Sequence, residues 1–491
     1  MRNPLPPVPS KLLDVDVSTE FRRGAPTAVL VAAPEDDTEL PEFGGVRATG
    51  KASDVQTVPG GKPQWIVGVG DGEPARYRAA GAALIRAAGS ALVAETESGA
   101  KPSRSIQVEL PAEATAEQIE ELTFGLLLGG YSYTVTAEDA KPELRSVRLV
   151  TPHERAVPAY TDVVTRVGEL AAAAAFARDL ANTPSNVKDP AWLANTAAKV
   201  AGAVAGLSVT IRDENWLAEQ GFGGVLAVGG GSASPPRLIE LEYSPRGASA
   251  HLLFVGKGIT FDTGGLSIKP ADGMHLMRTD MAGGGAVIAA VRAIAALKLP
   301  VRVTGLVPAA ENHVSGSAYR PGDIVRHYGG KTSEVSNTDA EGRMVLADAL
   351  VYGLKRFKPD AVVDVATLTG AMKISLGVRT GGFFATDDAL AERVRKAGER
   401  VGEAWWRMPL LEDMAADVHG ELGDVRQTPG GPGGIAAALF LREFVAEAKW
   451  AHLDIAGPAR ADKTYADVVP GATGFAARTL VALAESFVAG S

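Results

Sequence analysis

Short apolar runs of β type alternate along this chain with alanine-rich stretches of helical type, and that alternation constrains the fold more than any other feature. Ala28–Ala33, Trp65–Val69, Ser105–Leu110 and Ser146–Val150 read as strands, and Ala79–Ala94 and Ala116–Leu128 as helices. Alternating strands and helices build parallel sheets covered by helices, so residues 1–155 are expected to form a small α/β domain. A long helical segment near Thr161–Asn182 ends at the breaker run Asn182-Thr-Pro-Ser-Asn186, so residues 156–182 are expected to be a connecting helix. From Ala191 the pattern resumes with more apolar strands: Leu252–Val255, Val301–Leu306 and Ala361–Val365, with helices at Ala286–Leu297 and Arg343–Phe357. Residues 183–491 are therefore expected to form a second, larger, catalytic α/β domain whose mixed, mostly parallel central sheet is covered by helices. Glycines cluster at Gly229–Gly231, Gly283–Gly285 and Gly430–Gly434. These are expected to be loops, where chemistry concentrates.

Composition removes several classes of function. None of the 491 residues is cysteine, which excludes disulfide frameworks, thiolate metal sites and a cysteine nucleophile. The 58 acidic and 49 basic residues give a net charge of −9. That balance argues against a nucleic-acid partner, because such affinity rests on neutralising phosphates. The opening Met1–Ser10 lacks the apolar run of a signal peptide. No stretch approaches the ~20 uncharged apolar residues of a membrane span. The expectation is a soluble, cytoplasmic protein with no membrane partner.

Several tempting motifs fail on inspection. Gly68-Val-Gly70-Asp-Gly72 follows a strand and precedes a helix, but a dinucleotide fingerprint needs glycine where Glu73 stands. Gly329-Gly-Lys331-Thr332 resembles the end of a phosphate-binding loop whose first glycine would have to replace Val325. There is no Gly-x-Ser-x-Gly elbow. None of the seven histidines forms His-Glu-x-x-His, since His153-Glu154 is followed by Arg155-Ala156-Val157. Any metal here must be held mostly by oxygen.

Two segments set carboxylates and cations against glycine. The first runs from Val255-Gly-Lys257 through Asp262 to Lys269-Pro270 and on to Asp280 and Gly285. It starts as an apolar strand and breaks into loop, which places Lys257 and Asp262 at or past a strand's carboxyl end, where open α/β sheets bind ligands. The second is Ser336-Asn-Thr-Asp339-Ala-Glu341-Gly-Arg343, leading into a helix with an apolar face at Leu346, Ala349, Leu350 and Leu354. Asp339 lies near that helix's N-cap, and capping alone would account for it. Asp280 could cap the next helix, and Lys269 could be solvated surface. Together, four acids brought into one place repel one another unless cations neutralise them. Divalent metals on oxygen ligands meet that need and suit hydrolysis.

These residues resemble the leucyl aminopeptidase (cytosol aminopeptidase) family, hexameric two-metal enzymes. The resemblance rests on Asn337–Arg343, Gly256–Asp262, Thr367–Gly370, Tyr319–Asp323 and Trp450–Gly457, and spans about Asn182 to Leu480. Met344 stands where leucine is usual, Gly230 where a bulkier residue is usual, and Gly283–Gly285 where alanine is more common, which would loosen that loop. The resemblance implies that Lys257, Asp262, Asp280 and Glu341 bind the tighter metal. It assigns the exchangeable one to Asp262, Asp339 and Glu341. Lys269 and Arg343 match the two catalytic side chains, with Arg343 holding a small anion such as bicarbonate. Lys257, Asp262, Lys269, Met277, Asp339, Thr367 and Gly370 would contact the substrate. Two divalent ions, Mn2+ or Zn2+, are implied, although oxygen-rich ligation also accepts magnesium or cobalt. Also implied are a homohexamer, a dimer of trimers, and release of unblocked N-terminal residues from peptides, leucine and other apolar ones preferred. The alternatives are an aminopeptidase doubling as a DNA-binding regulator and a two-metal phosphoesterase.

Overall fold

In the computed structural model, residues 5–34, 39–138 and 141–488 are described, so Met1–Pro4 of the opening segment lie outside them. The chain divides into two units, 1–175 with 462–470, and 176–461 with 471–491. In the first, β1 (Asp14–Ser18), β2 (Thr27–Val31), β3 (Val55–Thr57), β4 (Trp65–Gly68), β5 (Ser105–Glu109) and β6 (Ser146–Val150) form a six-stranded sheet. Its order is β1-β6-β5-β2-β4-β3, with only β3–β4 antiparallel. Helices α1 (Pro74–Glu97) and α2 (Ala116–Leu128) bury Leu84, Ile85, Ile119 and Leu122 in one core with Val67, Val108, Val147 and Leu149. A capping box starts α2: Gln118 N donates to Thr115 Oγ1 at 3.2 Å and Thr115 N donates to Gln118 Oε1 at 2.9 Å. Helix α3 (Val157–Asn182) runs across the division between the units.

The second unit is built on nine strands: β7 (Leu207–Arg212), β8 (Arg237–Tyr243), β9 (His251–Gly256), β10 (Gly258–Asp262), β11 (Arg302–Asn312), β12 (Ala361–Ala366), β13 (Thr380–Ala385), β14 (Ala404–Arg407) and β15 (Trp450–Asp454). The order is β14-β13-β15-β12-β9-β11-β8-β7, with β10 added beside β11. Five pairings are parallel and three, β13–β15, β8–β11 and β7–β8, antiparallel. This is a mixed, mostly parallel sheet in an α/β unit. Strands β9, β12 and β15 are buried along their whole length, as expected of strands covered on both faces. Against them lie α4 (Ala282–Ala296) and α5 (Glu341–Phe357), with α6 (Gly370–Leu376) and α7 (Gly433–Arg442) completing the elements near the site. The stretch Met274–Ala296 is long and apolar enough to cross a membrane, and 83% of its apolar 18-residue window is buried inside the protein.

Two local expectations are corrected. Gly258–Asp262 is a strand rather than a loop, because the eleven-residue β11 runs past the end of β9 and offers a free edge, which β10 takes with a bulge between Ile259 and Phe261. Gly283–Gly285 is neither loop nor loosened: it forms the first turn of α4 and is fully buried. The cause is close approach of backbones, since a Cβ at Gly283 would sit 2.1 Å from Val365 O and one at Gly284 3.0 Å from Lys257 O. Gly433 and Gly434 likewise start α7.

One buried polar chain braces α5. His327 Nδ1 lies 2.9 Å from Asp348 Oδ1 and Nε2 2.8 Å from Ser333 Oγ, and Asp348 also accepts from Val225 N and Tyr328 N at 2.9 Å. The order of groups is that of a hydrolytic triad, but all three side chains are closed to solvent. It is a structural network.

Candidate metal centre

Strand ends and helix starts bring the charged residues together. Lys257 follows β9, Asp262 ends β10, Asp280 precedes α4 and Glu341 is the first residue of α5. The ligand oxygens of Asp262, Asp280 and Glu341 all lie within 4.8 Å of one another, and all three residues are buried. Lys257 Nζ sits 2.8 Å from both Asp280 Oδ2 and Glu341 Oε1. Lys269 Nζ lies 2.9 Å from Asp262 Oδ2 and pairs with Asp339. Asp339 stands outside the carboxylate trio and joins it through Lys269. It does not cap α5, whose N-cap is Ala340 with no side-chain bond, and Asp280 does not cap α4, whose N-cap is Met281.

Backbone shape fixes these positions. Gly264 and Gly265 adopt φ of +86° and +61°, and a Cβ there would come within 3.0 Å of Asp339 Oδ1 and 2.9 Å of Asn312 Oδ1 respectively. Only glycine satisfies both demands. The turn they make carries Lys269 back over Asp262, with Gly264 N donating to Asp262 Oδ1 at 2.8 Å. On the other wall, Gly284 N donates to Lys257 O at 2.8 Å, tying α4 to the lysine's own backbone.

The electrostatics are those of a site awaiting positive charge. Burial pushes Asp280 and Asp339 up to about 6 and Glu341 up to about 7, with neighbouring carboxylates adding to the rise. Burial works against both lysine ammonium groups, but Asp280, Glu341 and Asp262 outweigh it and raise Lys257, and Asp262 leads the same effect on Lys269. Four carboxylates still face two ammonium groups. Asp280 Oδ2, Asp339 Oδ1 and Glu341 Oε1 are buried, with only the ammonium groups of Lys257 and Lys269 set against them. Hard oxygen donors, crowded together and deficient in positive charge, fit divalent cations.

Arg343, in the first turn of α5, is buried; its Nη1 donates to Gln427 O at 2.7 Å, and its Nε has no hydrogen-bond partner. Burial lowers it to about 10, so it remains a cation at neutral pH. Met277 is half-buried in the short 3₁₀ turn before Asp280. Thr367 donates from Oγ1 to Asp280 Oδ1 at 2.7 Å, while Gly370 is exposed at the start of α6.

Two neutral amides escaped the sequence reading. Asn312, ending β11, donates to Asp262 Oδ1 at 2.8 Å and to Thr338 O at 2.9 Å. Gln427 accepts from Ser336 N and Asn337 N, both at 3.1 Å, and donates to Ala340 O at 3.1 Å. It clamps the loop that carries Asp339 and Glu341. An amide signals neither charge nor periodicity; only the adjacent Gly430–Gly434 cluster marked that region.

Residues 175–481 match the cytosol aminopeptidase family, catalytic domain. A probable cytosol aminopeptidase of Streptomyces coelicolor is 44% identical over 473 residues, covering 92% of this chain and 90% of the relative. One from Roseiflexus castenholzii is 47% identical over 378 residues, 75% of this chain and 77% of its own. Among solved structures, the bottromycin maturation enzyme BotP in complex with Mn superposes with a TM-score of 0.83 at 38% identity, covering 94% of this chain and 99% of that one.

Proposed function

The chain belongs to the cytosol aminopeptidase family and is an aminopeptidase hydrolase that uses divalent metal; from that premise we propose that it is a two-metal leucyl aminopeptidase. It removes unblocked N-terminal residues, leucine and other apolar ones preferred, from peptides in the cytoplasm. The carrying observation is the buried Asp262–Asp280–Glu341 trio, its oxygens within 4.8 Å of one another and only two lysines set against it and Asp339.

Lys257, Asp262, Asp280 and Glu341 would hold one dication and Asp262, Asp339 and Glu341 the second, either manganese or zinc. Once bound, the pair supplies Lewis acidity and an activated water. Lys257 ligates only as a neutral amine, so the carboxylates that now keep it charged must give their negative potential to the cations instead. Lys269 keeps its proton, and its ammonium, fixed by Asp262 and Asp339, neutralises negative charge growing on the scissile carbonyl oxygen. Oriented charge of this kind is worth roughly 3–4 kcal/mol. Arg343, whose Nε–H is unshared, would hold a small anion such as bicarbonate, and that anion would supply proton-transfer capacity beside the site. Met277, Thr367 and Gly370 line the pocket for the first side chain. A free α-amine is required at the cations, which limits cleavage to the chain terminus. A homohexamer built as a dimer of trimers completes the reading, and light scattering at several concentrations checks it.

The deciding assay uses leucine anilide with Mn2+, then EDTA, then the N-acetylated substrate. Turnover that EDTA abolishes and acetylation blocks is expected. Equal turnover of the acetylated substrate would overturn the exopeptidase assignment. Lys269→Ala should retain metal and lose turnover, whereas Glu341→Ala should lose both.

A further inference from the structure

The motif Trp450-Ala-His452-Leu-Asp454-Ile-Ala-Gly457 has no part in the chemistry above, although it places three buried polar side chains, with Asp364 of the neighbouring strand, in the middle of the sheet. Asp454 ends β15 and is fully buried. Its Oδ1 accepts from Leu368 N at 3.2 Å and Ala456 N at 3.0 Å. Its Oδ2 accepts from Thr369 N at 3.0 Å and Thr369 Oγ1 at 2.7 Å. Three of these four donors belong to the turn between β12 and α6.

The same turn is tied from its other side to the metal cluster. Thr367 Oγ1 donates to Asp280 Oδ1 at 2.7 Å, and Lys257 Nζ donates to Thr367 O at 3.1 Å. Residues 367–369 are thus strung between buried Asp454 on one side and Asp280 and Lys257, both proposed ligands, on the other. Behind Asp454, His452 Nδ1 lies 2.6 Å from Asp364 Oδ1, and Trp450 Nε1 donates to Asp364 Oδ2 at 2.7 Å. Burial disfavours a charge on His452, but Asp364 and then Asp454 more than offset it and raise its pKa, so the imidazole supports the anion in front of it.

A buried carboxylate is costly unless its acceptor sites are filled and its charge is matched. Its acceptor sites are filled, and although burial still raises its pKa, His452 and the donors of one short turn oppose that rise. We propose that Asp454 is a positioning residue for the aminopeptidase reaction: it fixes Thr367–Thr369 so that this wall of the substrate site keeps its register with Lys257 and Asp280. It touches neither substrate nor metal and acts through the turn. The inference rests on the function proposed above.

Asp454→Asn keeps one acceptor oxygen and turns the other position into a donor facing donors. Thr369→Val leaves the charge in place but removes the hydroxyl that donates to Asp454 and caps α6 by accepting from Met372 N, and Thr369→Ser restores both. For Asp454→Asn the KM for leucine anilide is expected to rise about tenfold, the loss of one charge-assisted bond, with kcat changing less than threefold. Thr369→Val should move KM the same way by a smaller factor, and Thr369→Ser should return to the wild-type value. Hydrogen exchange supplies the readout that needs no activity: in metal-free protein, amides 368 and 369 should lose protection in Asp454→Asn while the centres of β9 and β12 keep theirs. A folded Asp454→Asn with unchanged KM and unchanged exchange at 368–369 overturns the proposal, as does a fall in thermal stability without a KM shift. If Asp454→Asn does not fold, the Thr369 pair decides by the same two measurements. Absence of leucine anilide turnover in the wild type refutes the aminopeptidase reading instead, and exchange then judges the tether by itself.

Discussion

Gly342, the second residue of α5, faces the side chain of Lys257. A Cβ at this position would lie 2.6 Å from Lys257 Cε, 2.8 Å from its Cδ and 2.9 Å from Leu368 Cδ1. Carbon atoms pack at ~3.5–4.0 Å, so Gly342→Ala forces the lysine back by about 1 Å. The lysine is 3% exposed, and its ammonium group is held by Asp280 and Glu341. A shift of that size stretches its 2.8 Å contacts with Asp280 and Glu341 beyond bonding distance. Overpacking of this kind costs about 1–3 kcal/mol, and 1.4 kcal/mol is a factor of ten. Gly342→Ala is therefore expected to weaken divalent-metal binding by roughly 10- to 100-fold, measured by equilibrium dialysis against Mn2+, with turnover falling in parallel. The far-ultraviolet spectrum and the protection of β9 should stay native. If the folded variant binds Mn2+ within twofold of wild type, the lysine has freedom that this packing denies it, and the reasoning fails.

Gly168→Ala is the matched control: it lies within α3 with nothing inside 4 Å of an added Cβ, so it should leave metal binding alone and stabilise by up to about 1 kcal/mol, read from the urea midpoint. Asp348→Ala leaves His327 and the amides of Val225 and Tyr328 unpaired in the core, which should cost about 3–5 kcal/mol; a loss below 1 kcal/mol in denaturant titration would contradict the network. In chelator-treated protein, Asp280 and Asp339 at about 6 and Glu341 at about 7 exceed the ~4 they recover on unfolding. The folded state then holds more protons than the unfolded chain, so metal-free stability should fall as pH rises from 5 to 8. Lys257 and Lys269, raised above ~10, stay protonated in both states and add no slope there. Glu341→Gln should flatten the fall, and an identical pH profile for variant and wild type would refute the assignment.

The candidate metal ligands were legible because they lie in two short segments where acids and lysines interleave with glycine. Taken singly each had an ordinary explanation; grouped in two segments they pointed to metal, and the family likeness then gave Lys257, Asp262, Asp280, Glu341, Lys269 and Asp339 their separate roles. The buried strands β9 and β12 and helix α2 were also plain from their apolar patterns. Strands β7, β8, β13 and β14 were not read, because each mixes polar, glycine or aromatic residues and takes its conformation from the neighbours it pairs with. The Gly283–Gly285 turn was misread for a related reason. Local propensity says loop, whereas contact with Val365 and Lys257, distant in sequence, makes it helix. Asn312 and Gln427 were invisible because their importance lies wholly in which backbone groups they meet.

The glycines around Lys257 also bear on how such an enzyme could diversify. Gly256 meets the backbone of Gly283 and Gly284, and Gly342 meets the lysine itself. The inner end of the site is therefore walled by main chain, which substitution cannot reshape without displacing a strand or a helix. Side chains on the loop leading to Lys269 are freer, with Leu266 and Ile268 43% and 63% exposed. An evolutionary change of substrate would fall on exposed positions of that kind rather than on an inner end too tightly built to vary.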